Sequence, residues 1–349
     1  MALDLQINDL DRRIWEEELE DFVPTQIFDI HTHIYRWAFH TAPDKEEGPY
    51  AAMVGDNYRE ATYDLLDAVD AQLMPGQAVH RLSFPFPFGN GCDFEASNRF
   101  IASELRGHEP SAALMLVHPA MSGEEIEAAV REHGFLGLKP YRVFSTTGDA
   151  VHCRITDFLP EHQIEVAHRH GLLIMLHLSK PDGISDPVNL DDLEYLTGKY
   201  PNAKWDLAHC ARSYSAWPIE RAGDRLRDMP NTWFDPSSVC ESDAIEALIE
   251  CVGIERVVYG SDDVPVGVHR GKYVAFGHAW AYLSETNHNL NLTHCDGRMT
   301  FTRYEQLRAM KRAANRHGLG RPEIEKLFHD NASQLVNGVR SGSPSGPRG

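Results

Sequence analysis

The sequence has little positive charge: 33 lysines and arginines stand against 52 aspartates and glutamates, a formal net charge of −19. It also contains no polybasic run. A phosphate backbone or an anionic lipid surface would be repelled by such a chain, so we expect neither nucleic acid nor a membrane as a partner. An anionic small molecule is still allowed, because local arginines can set the potential of a pocket.

Three further absences narrow the class of protein. No apolar run reaches membrane-spanning length, and the first residues are too acidic for a secretory signal, so we expect a cytoplasmic protein. The six cysteines include no closely spaced pair, which predicts free thiols. No convincing glycine-rich phosphate-binding motif is present, which disfavours the structural rival, a doubly wound open sheet.

Short apolar runs instead alternate with segments of helical periodicity along the chain. The runs are rich in Val, Ile, Leu and aromatic residues, as expected of parallel strands that are buried on both faces. Eight of them occur, at 27–30, Ala78–Phe84, Ala112–Val117, 135–138, 172–176, 204–208, Thr232–Phe234 and 256–259. Eight such repeats predict an α/β protein built as a (β/α)8 TIM barrel.

The same pattern predicts how the chain is divided. We expect a barrel domain over residues 26–338, an N-terminal helical extension over 1–25 and a disordered tail over 339–349. Two long segments, 34–56 and 264–300, leave the carboxyl ends of the first and eighth strands, so both are candidate substrate-capping loops. The extension is a candidate contact for a homodimer, by analogy with other barrels.

Polar residues stand at the ends of four predicted strands. Alternation within a strand places His31 and His33 on one face, pointing together into the barrel mouth. His177, His209 and Asp262 follow three other strands. Imidazole nitrogens and a carboxylate suit Zn²⁺ or a similar divalent ion, which lowers the pKa of a bound water toward 7.

Each of these residues also has a plainer interpretation. A His-x-His pair arises by chance in a chain with 19 histidines, His177 could be a hydrogen-bonded core histidine, and Asp262 could cap a turn. Their shared position at C-terminal strand ends favours the metal site, because barrel enzymes carry their chemistry on that face.

Five motifs resemble the amidohydrolase superfamily, and within it the branch that includes aminocarboxymuconate semialdehyde decarboxylase. They are FDIHTH (28–33), MLHLS (175–179), LAHCAR (207–212), YGSDD (259–263) and LFHDNASQLV (327–336). The resemblance implies that His31, His33, His177 and Asp262 hold one divalent ion. It also implies that His209 acts as the acid/base beside a metal-activated water, so His209 and Asp262 are the expected catalytic residues.

Lys139, at the end of the fourth predicted strand, leaves the number of metal ions open. In binuclear members of the superfamily a lysine in this context is carbamylated and bridges two metals. The alternatives are a cationic lysine that binds a substrate carboxylate, or one that forms an ion pair in the barrel. A second ion is expected only if Lys139 is carbamylated.

Arginines near the strand ends give the clues to the substrate. Arg36, Arg142 and Arg212 each follow a predicted site residue by three positions. A guanidinium fork matches a carboxylate in two hydrogen bonds, although a surface ion pair explains any single one of these arginines equally well. His118 and Asp235 also stand at strand ends with no assigned role, and the run 84–88 (FPFPF) could wall an apolar pocket.

These observations predict a metal-dependent hydrolase that acts on a small carboxylate-bearing amide, ester or lactone. Zinc is the first choice of metal, while manganese and iron tolerate the same ligands. Non-oxidative decarboxylation, a carbon–carbon lyase reaction, could use the same site. The alternative of another class is an inactive barrel that serves as a binding protein.

Overall fold

Seven parallel strands form a single curved sheet in the computed structural model, which describes residues 4–42, 58–89, 91–285, 287 and 290–342. The strands pair in chain order, so each lies beside the one that precedes it. They are β1 (Gln26–His33), β2 (Ala78–Phe84), β3 (Ala112–Val117), β4 (Gly137–Pro140), β5 (Leu173–Leu176), β6 (Lys204–Leu207) and β7 (Thr232–Phe234). All seven begin within a few residues of the predicted runs.

Residues 257–263, which we call the closing segment, occupy the eighth position. They form parallel bridges to both edges of the sheet, from Val257 to Phe234 of β7 and from Asp263 to Thr32 of β1. The amide of Ile30 donates to the carbonyl of Tyr259 at 3.0 Å, which adds a bond on the β1 side. The predicted barrel is therefore confirmed, with an eighth element that pairs through isolated bridges rather than a continuous ladder.

Helices alternate with these strands and cover the outside of the sheet. They are α1 (Asp9–Arg13), α2 (Tyr63–Leu73), α3 (Phe94–Glu104), α4 (Gly123–His133), α5 (Ile155–Phe158), α6 (Glu161–His170), α7 (Pro187–Lys199), α8 (Ala216–Asp228), α9 (Ser242–Val252), α10 (Thr302–Arg316), α11 (Arg321–Glu325) and α12 (Asn331–Gly342). Two π-helical turns, Ile14–Leu19 and Lys326–Asp330, continue α1 and precede α12.

Local sequence signals explain several of these boundaries. Ser122 caps α4 and forms a reciprocal capping box with Glu125, and the helix ends at Gly134 with φ of 72°. Gly171 ends α6 in the same left-handed conformation, with φ of 61°. Both helices are followed directly by a barrel strand, so these glycines fix the points at which the chain turns back into the sheet.

The buried core fills the barrel and the layer beneath the helices. Every residue of β3 and β5 is buried, which explains why these strands appear in the sequence as continuous apolar runs. Among the described residues, no helix is both long enough and apolar enough to cross a bilayer. All six cysteines are free thiols, as the sequence predicts.

The two long loops contain structure that periodicity did not indicate. The segment after the closing segment holds an antiparallel hairpin, β8 (Gly271–Phe276) and β9 (Ala279–Ser284). After β1, Tyr35–Arg36 pairs with Glu60–Ala61, while residues 43–57 of this region lie outside the described residues. α12 extends through part of the predicted tail, and residues 343–349 also lie outside the described residues.

Candidate metal centre

The predicted site residues gather at one edge of the sheet because the strands are parallel. His31 and His33 lie at the C-terminal end of β1, and Asp262 lies opposite them on the closing segment. This segment approaches β1 so closely that a Cβ atom at Gly260 would lie 2.6 Å from the Cβ of His31. Glycine at 260 therefore allows the closing segment to bring its aspartate to the histidine pair.

Three donor atoms converge at this edge. The Oδ1 atom of Asp262 lies 3.3 Å from Nε2 of His33 and 3.5 Å from Nε2 of His31. One ligand atom from each residue lies within 4.8 Å of the others, and all three residues are buried. The arrangement can accept one divalent ion between two imidazole nitrogens and a carboxylate oxygen.

The charge states of these groups also suit a metal ion. Burial lowers the pKa of His31 to about 4, against the opposing effect of Asp235, and burial likewise lowers the pKa of His33. Burial alone would raise the pKa of Asp262, but the neighbouring histidines hold it below its usual value. At neutral pH the cluster therefore offers neutral imidazoles and an ionised carboxylate, the forms that bind metal.

His177, the fourth predicted ligand, stands beside this cluster rather than within it. It follows β5, and its ring centroid lies 4.9 Å from that of His209. Its Nδ1 atom donates to the carbonyl of Leu178 at 3.1 Å, which leaves Nε2 as the acceptor atom of the ring. The structure thus brings three of the four predicted ligands into one group and places the fourth on the same cavity wall.

His209, the predicted acid/base, lies between the cluster and His177. Its ring centroid is 5.0 Å from that of His31, and its Nδ1 atom donates to the carbonyl of Ser237 at 2.9 Å. The backbone from His209 to Arg212 is left-handed throughout, with φ between 50° and 59°. This conformation costs roughly 1–2 kcal/mol per residue, and it lets His209 and Arg212 both line the cavity.

The two residues without an assigned role have different positions. Asp235, fully buried after β7, lies 3.0 Å from Nδ1 of His31 through its Oδ2 atom. Together with His31 and His209 it forms a second group of potential ligands. His118 packs against Phe94 and lines a separate cavity outside the barrel mouth. The structure therefore joins Asp235 to the cluster and leaves His118 apart from it.

Lys139 is completely buried inside the barrel. Its Nζ atom has no hydrogen-bond partner among the described residues and lies 4.4 Å from the centre of the Phe84 ring. Burial lowers the pKa of Lys139 to about 8, while the charges of Asp235, Asp206 and Asp262 act in the opposite direction. Because the net pKa of about 8 still lies above neutral pH, the amine of Lys139 is mostly cationic at pH 7.

A cavity of about 270 Å³ opens above the cluster. Two of the three predicted arginines, Arg142 and Arg212, line this cavity. The nitrogen atoms of Arg142 and Arg212 also donate to backbone carbonyls, Arg142 to that of Ala150 and Arg212 to that of Lys180. Arg36 is not among the residues that line the cavity, because Tyr35–Arg36 pairs with Glu60–Ala61 and the Arg36 side chain forms an ion pair with Glu60.

Aromatic side chains form one wall of the cavity. Tyr214 packs against two residues of the hairpin, with its ring centroid 4.2 Å from that of Trp280 and 4.8 Å from that of Tyr273. Phe86, from the aromatic run after β2, lines the same space. The sequence did not single out Tyr141 and Tyr214 as cavity residues, although Tyr141 directly follows β4 and Tyr214 lies two positions beyond the LAHCAR motif.

The comparisons agree with this architecture. The model of the Amidohydrolase family matches residues 28–337. No curated protein matches the chain. Among solved structures, a dihydroxybenzoic acid decarboxylase from Polaromonas sp. JS666 with bound manganese is 13% identical with a TM-score of 0.54, covering 90% of this chain and 97% of its own. A putative 2-pyrone-4,6-dicarboxylic acid hydrolase from Pseudomonas putida is 15% identical with a TM-score of 0.57, covering 90% and 99%.

A third similar structure is 4-oxalomesaconate hydratase from Rhodopseudomonas palustris, 16% identical with a TM-score of 0.51, covering 90% of this chain and 97% of that one. At these identities the likenesses establish the fold, while the named reactions belong to those proteins. The presence of a decarboxylase among them agrees with the branch that the motifs resemble. Since the family match runs from β1 into the last helix, we conclude that the chain belongs to the amidohydrolase family.

Proposed function

We propose that this protein is a metal-dependent hydrolase of a small carboxylate-bearing substrate with an amide, ester or lactone bond. The observation that carries the proposal is the shared cavity. The buried cluster of His31, His33 and Asp262 opens into the same space as His209 and two arginines. A scissile bond and a carboxylate of one small molecule can therefore be held at the same time.

In this proposal His31, His33 and Asp262 hold one divalent ion, and His177 completes the set. The ion would polarise the scissile carbonyl and make a water molecule more acidic. Zinc is our first choice, and manganese, present in one similar structure, is compatible with the same donors. We assign Lys139 as a buried cation that balances the nearby carboxylates, so that a single ion suffices.

His209 is the proposed proton-transfer residue. Because its Nδ1–H donates to the carbonyl of Ser237, Nε2 is the ring atom left to accept and return a proton. The ring lies close to both His31 and His177, beside the reacting bond as the proposal places it. General acid–base assistance of this kind contributes about 100- to 10,000-fold to a rate.

Arg212 and Arg142 are proposed to bind the substrate carboxylate. The guanidinium of Arg212 lies 5.5 Å from the centre of the Trp280 ring, so the aromatic wall supports the group that would bind the anion. Tyr214 and Trp280 stack at an interplanar angle of 29°, and their rings provide an apolar wall for the remainder of the substrate.

A screen of carboxylate-bearing amides, esters and lactones tests the proposal. Metal-depleted protein is supplied separately with Zn²⁺ and with Mn²⁺, and products are analysed in isotopically labelled water. We expect metal-dependent cleavage with one labelled oxygen in the product. If an acid instead releases CO2 and no labelled oxygen enters the remaining product, the enzyme is a decarboxylase and the hydrolase proposal is wrong. A protein that binds no metal and turns over no substrate would be a binding protein instead.

A further inference from the structure

One tetrapeptide contacts three different residues of the proposed site. Asp235, Pro236, Ser237 and Ser238 follow β7, and we call them the positioning loop. We propose that this loop fixes the ring tautomers of His31 and His209 and selects the oxygen that Asp262 presents to the metal. The inference rests on the proposed metal-dependent function, because it concerns how that site is assembled.

Asp235 determines the tautomer of His31. Its Oδ2 atom lies 3.0 Å from Nδ1 of His31, and an ionised carboxylate can only accept a hydrogen bond. The proton of the imidazole must therefore be on Nδ1, which leaves the lone pair of Nε2 toward Asp262. Carboxylate partners of this kind orient metal-binding histidines in many proteins.

The other oxygen of Asp235 is held by three donors. Oδ1 accepts the amide of Ser237 at 2.9 Å, the amide of His209 at 3.3 Å, and the hydroxyl of Ser237. The Ser237 amide closes a short turn back onto the aspartate side chain, a conformation typical of an Asx turn. The carboxylate therefore cannot rotate without breaking several bonds at once.

Ser237 determines the tautomer of His209. Its carbonyl oxygen, which can only accept, lies 2.9 Å from Nδ1 of the His209 ring. Its hydroxyl lies at the same distance from that nitrogen and donates to Asp235. The loop thus links the ring that would bind the ion to the ring that would transfer the proton.

Ser238 selects the oxygen of Asp262. Its hydroxyl donates to Oδ2 at 2.7 Å, so Oδ1 is the oxygen left toward His31 and His33. Ser238 has a positive φ of 59°, and its amide donates to Oε1 of Gln306 at 3.3 Å. The Nε2 of Gln306, a buried residue of α10, donates in turn to the carbonyl of Gly260 at 2.7 Å, which braces the loop against the closing segment.

The variant Asp235→Asn gives the sharpest test, because the carboxamide of asparagine has one oxygen that accepts hydrogen bonds and one NH2 group that donates them. Three donors face the Oδ1 position, so the amide oxygen would be placed there and the NH2 group would face His31. The NH2 group would then donate to Nδ1 and move the ring proton to Nε2. We expect nitrogen NMR of the metal-free variant to show this change of tautomer for His31, whereas the wild type carries its proton on Nδ1.

Zinc affinity, measured by competition with a chromophoric chelator, provides the second readout. We expect Asp235→Asn and Ser238→Ala each to weaken zinc binding by about 10–100-fold. The control is Ser185→Ala. It also removes a buried hydroxyl, but one that donates to the backbone carbonyl of Asp182 away from the site, so the zinc affinity should be unchanged. Circular dichroism of each metal-free variant checks that it is folded. If Asp235→Asn does not fold, the zinc affinity of Ser238→Ala still tests the proposal.

The outcomes separate this inference from the proposed function. If both folded variants bind zinc as tightly as the wild type, or if His31 keeps its proton on Nδ1 in Asp235→Asn, the positioning role is wrong and the hydrolase proposal stands. If the wild type binds zinc but hydrolyses nothing, the hydrolase proposal fails, while a change of tautomer and a loss of affinity still support the positioning loop.

Discussion

The Oδ1 atom of Asp262 lies 3.3 Å from Nε2 of His33, although 229 residues separate them along the chain. The contact exists because the closing segment is the eighth element of the barrel and therefore lies beside the first. Closure of the barrel therefore also brings Asp262 to the histidine pair, so these three potential ligands are adjacent only in the folded protein.

Replacing His33 with alanine removes one of the three converging donors. We expect the purified variant to lose stoichiometric metal, with affinity reduced by more than about 100-fold, because loss of a direct ligand exceeds the loss from a supporting contact. Elemental analysis measures the bound metal. His152→Ala, which removes an exposed histidine, should retain a full complement, and equal metal content in both variants would contradict the assignment.

Replacing His209 with glutamine separates proton transfer from metal binding. We expect kcat to fall by about 100- to 10,000-fold while bound metal is retained, because the lost group acts on protons rather than on the ion. Steady-state kinetics with elemental analysis checks both quantities. His118→Gln serves as the control, since His118 lines another cavity. Loss of metal from the His209 variant would instead make this residue a ligand.

Arg212→Met tests recognition of the substrate carboxylate. A hydrogen bond to a charged group contributes about 1.5–3 kcal/mol, so we expect kcat/KM to fall by roughly 10- to 150-fold, mainly through KM. Arg36→Met is the matched control, because Arg36 pairs with Glu60 away from the cavity. A neutral analogue that lacks the carboxylate should not distinguish Arg212→Met from the wild type, and an equal loss with it would exclude carboxylate recognition.

Lys139→Met determines the number of ions. Since the pKa of this buried amine, about 8, leaves it mostly cationic at neutral pH, we expect one ion per chain in both the wild type and the variant. Elemental analysis of folded protein provides the count. Two ions in the wild type and fewer in the variant would identify a carbamylated bridging lysine and overturn the single-ion proposal.

Asp11→Asn tests the contact that joins α1 to the barrel. Burial raises the pKa of the Asp11 carboxyl, but hydrogen bonds from Arg270, the Asn8 amide and Thr300 lower it more, so the net pKa is below its usual value. Such a carboxylate stabilises the fold above its unfolded pKa of about 3.9, and the contribution is lost as pH falls through the folded value. We expect the variant to lose roughly 1.5–3 kcal/mol of its free energy of unfolding at pH 7, because Asp11 is buried while Arg270 is partly exposed.

Urea unfolding at neutral pH and below about pH 4 measures this difference, which should shrink at the acidic end. Asp9→Asn, which removes an exposed carboxylate paired with Arg298, should leave the unfolding midpoint unchanged. A difference for Asp11→Asn that is the same at both pH values would show that the ion pair with Arg270 is not its origin.

Much of the fold follows from the sequence because parallel strands buried on both faces leave continuous apolar runs. The hairpin does not follow, since β8 and β9 are only partly buried and depend on contacts with the barrel mouth. The site was predictable where a polar residue ends a strand, as at His31 and Asp262. The contact of Asp235 with His31 joins residues 204 positions apart, so no local sequence pattern predicts it.

The arginines show the same limit. Arg36, Arg142 and Arg212 occupy equivalent places in the sequence, three residues beyond a predicted site residue. Two of them line the cavity, and the third is turned toward Glu60 because Tyr35–Arg36 pairs with Glu60–Ala61. Spacing along the chain therefore identifies candidates, while the direction of each side chain depends on a pairing that only the fold determines.

The partly buried ion pair between Asp11 and Arg270 has a consequence for the cooperativity of unfolding. Arg270 directly precedes β8, and the π-helical turn that continues α1 stacks Trp15 against Tyr304 of α10. The helical extension is thus fastened both to the hairpin and to a core helix. Its amide protons should exchange with solvent through the same global opening as those of α10, so the extension and the barrel would unfold as one unit.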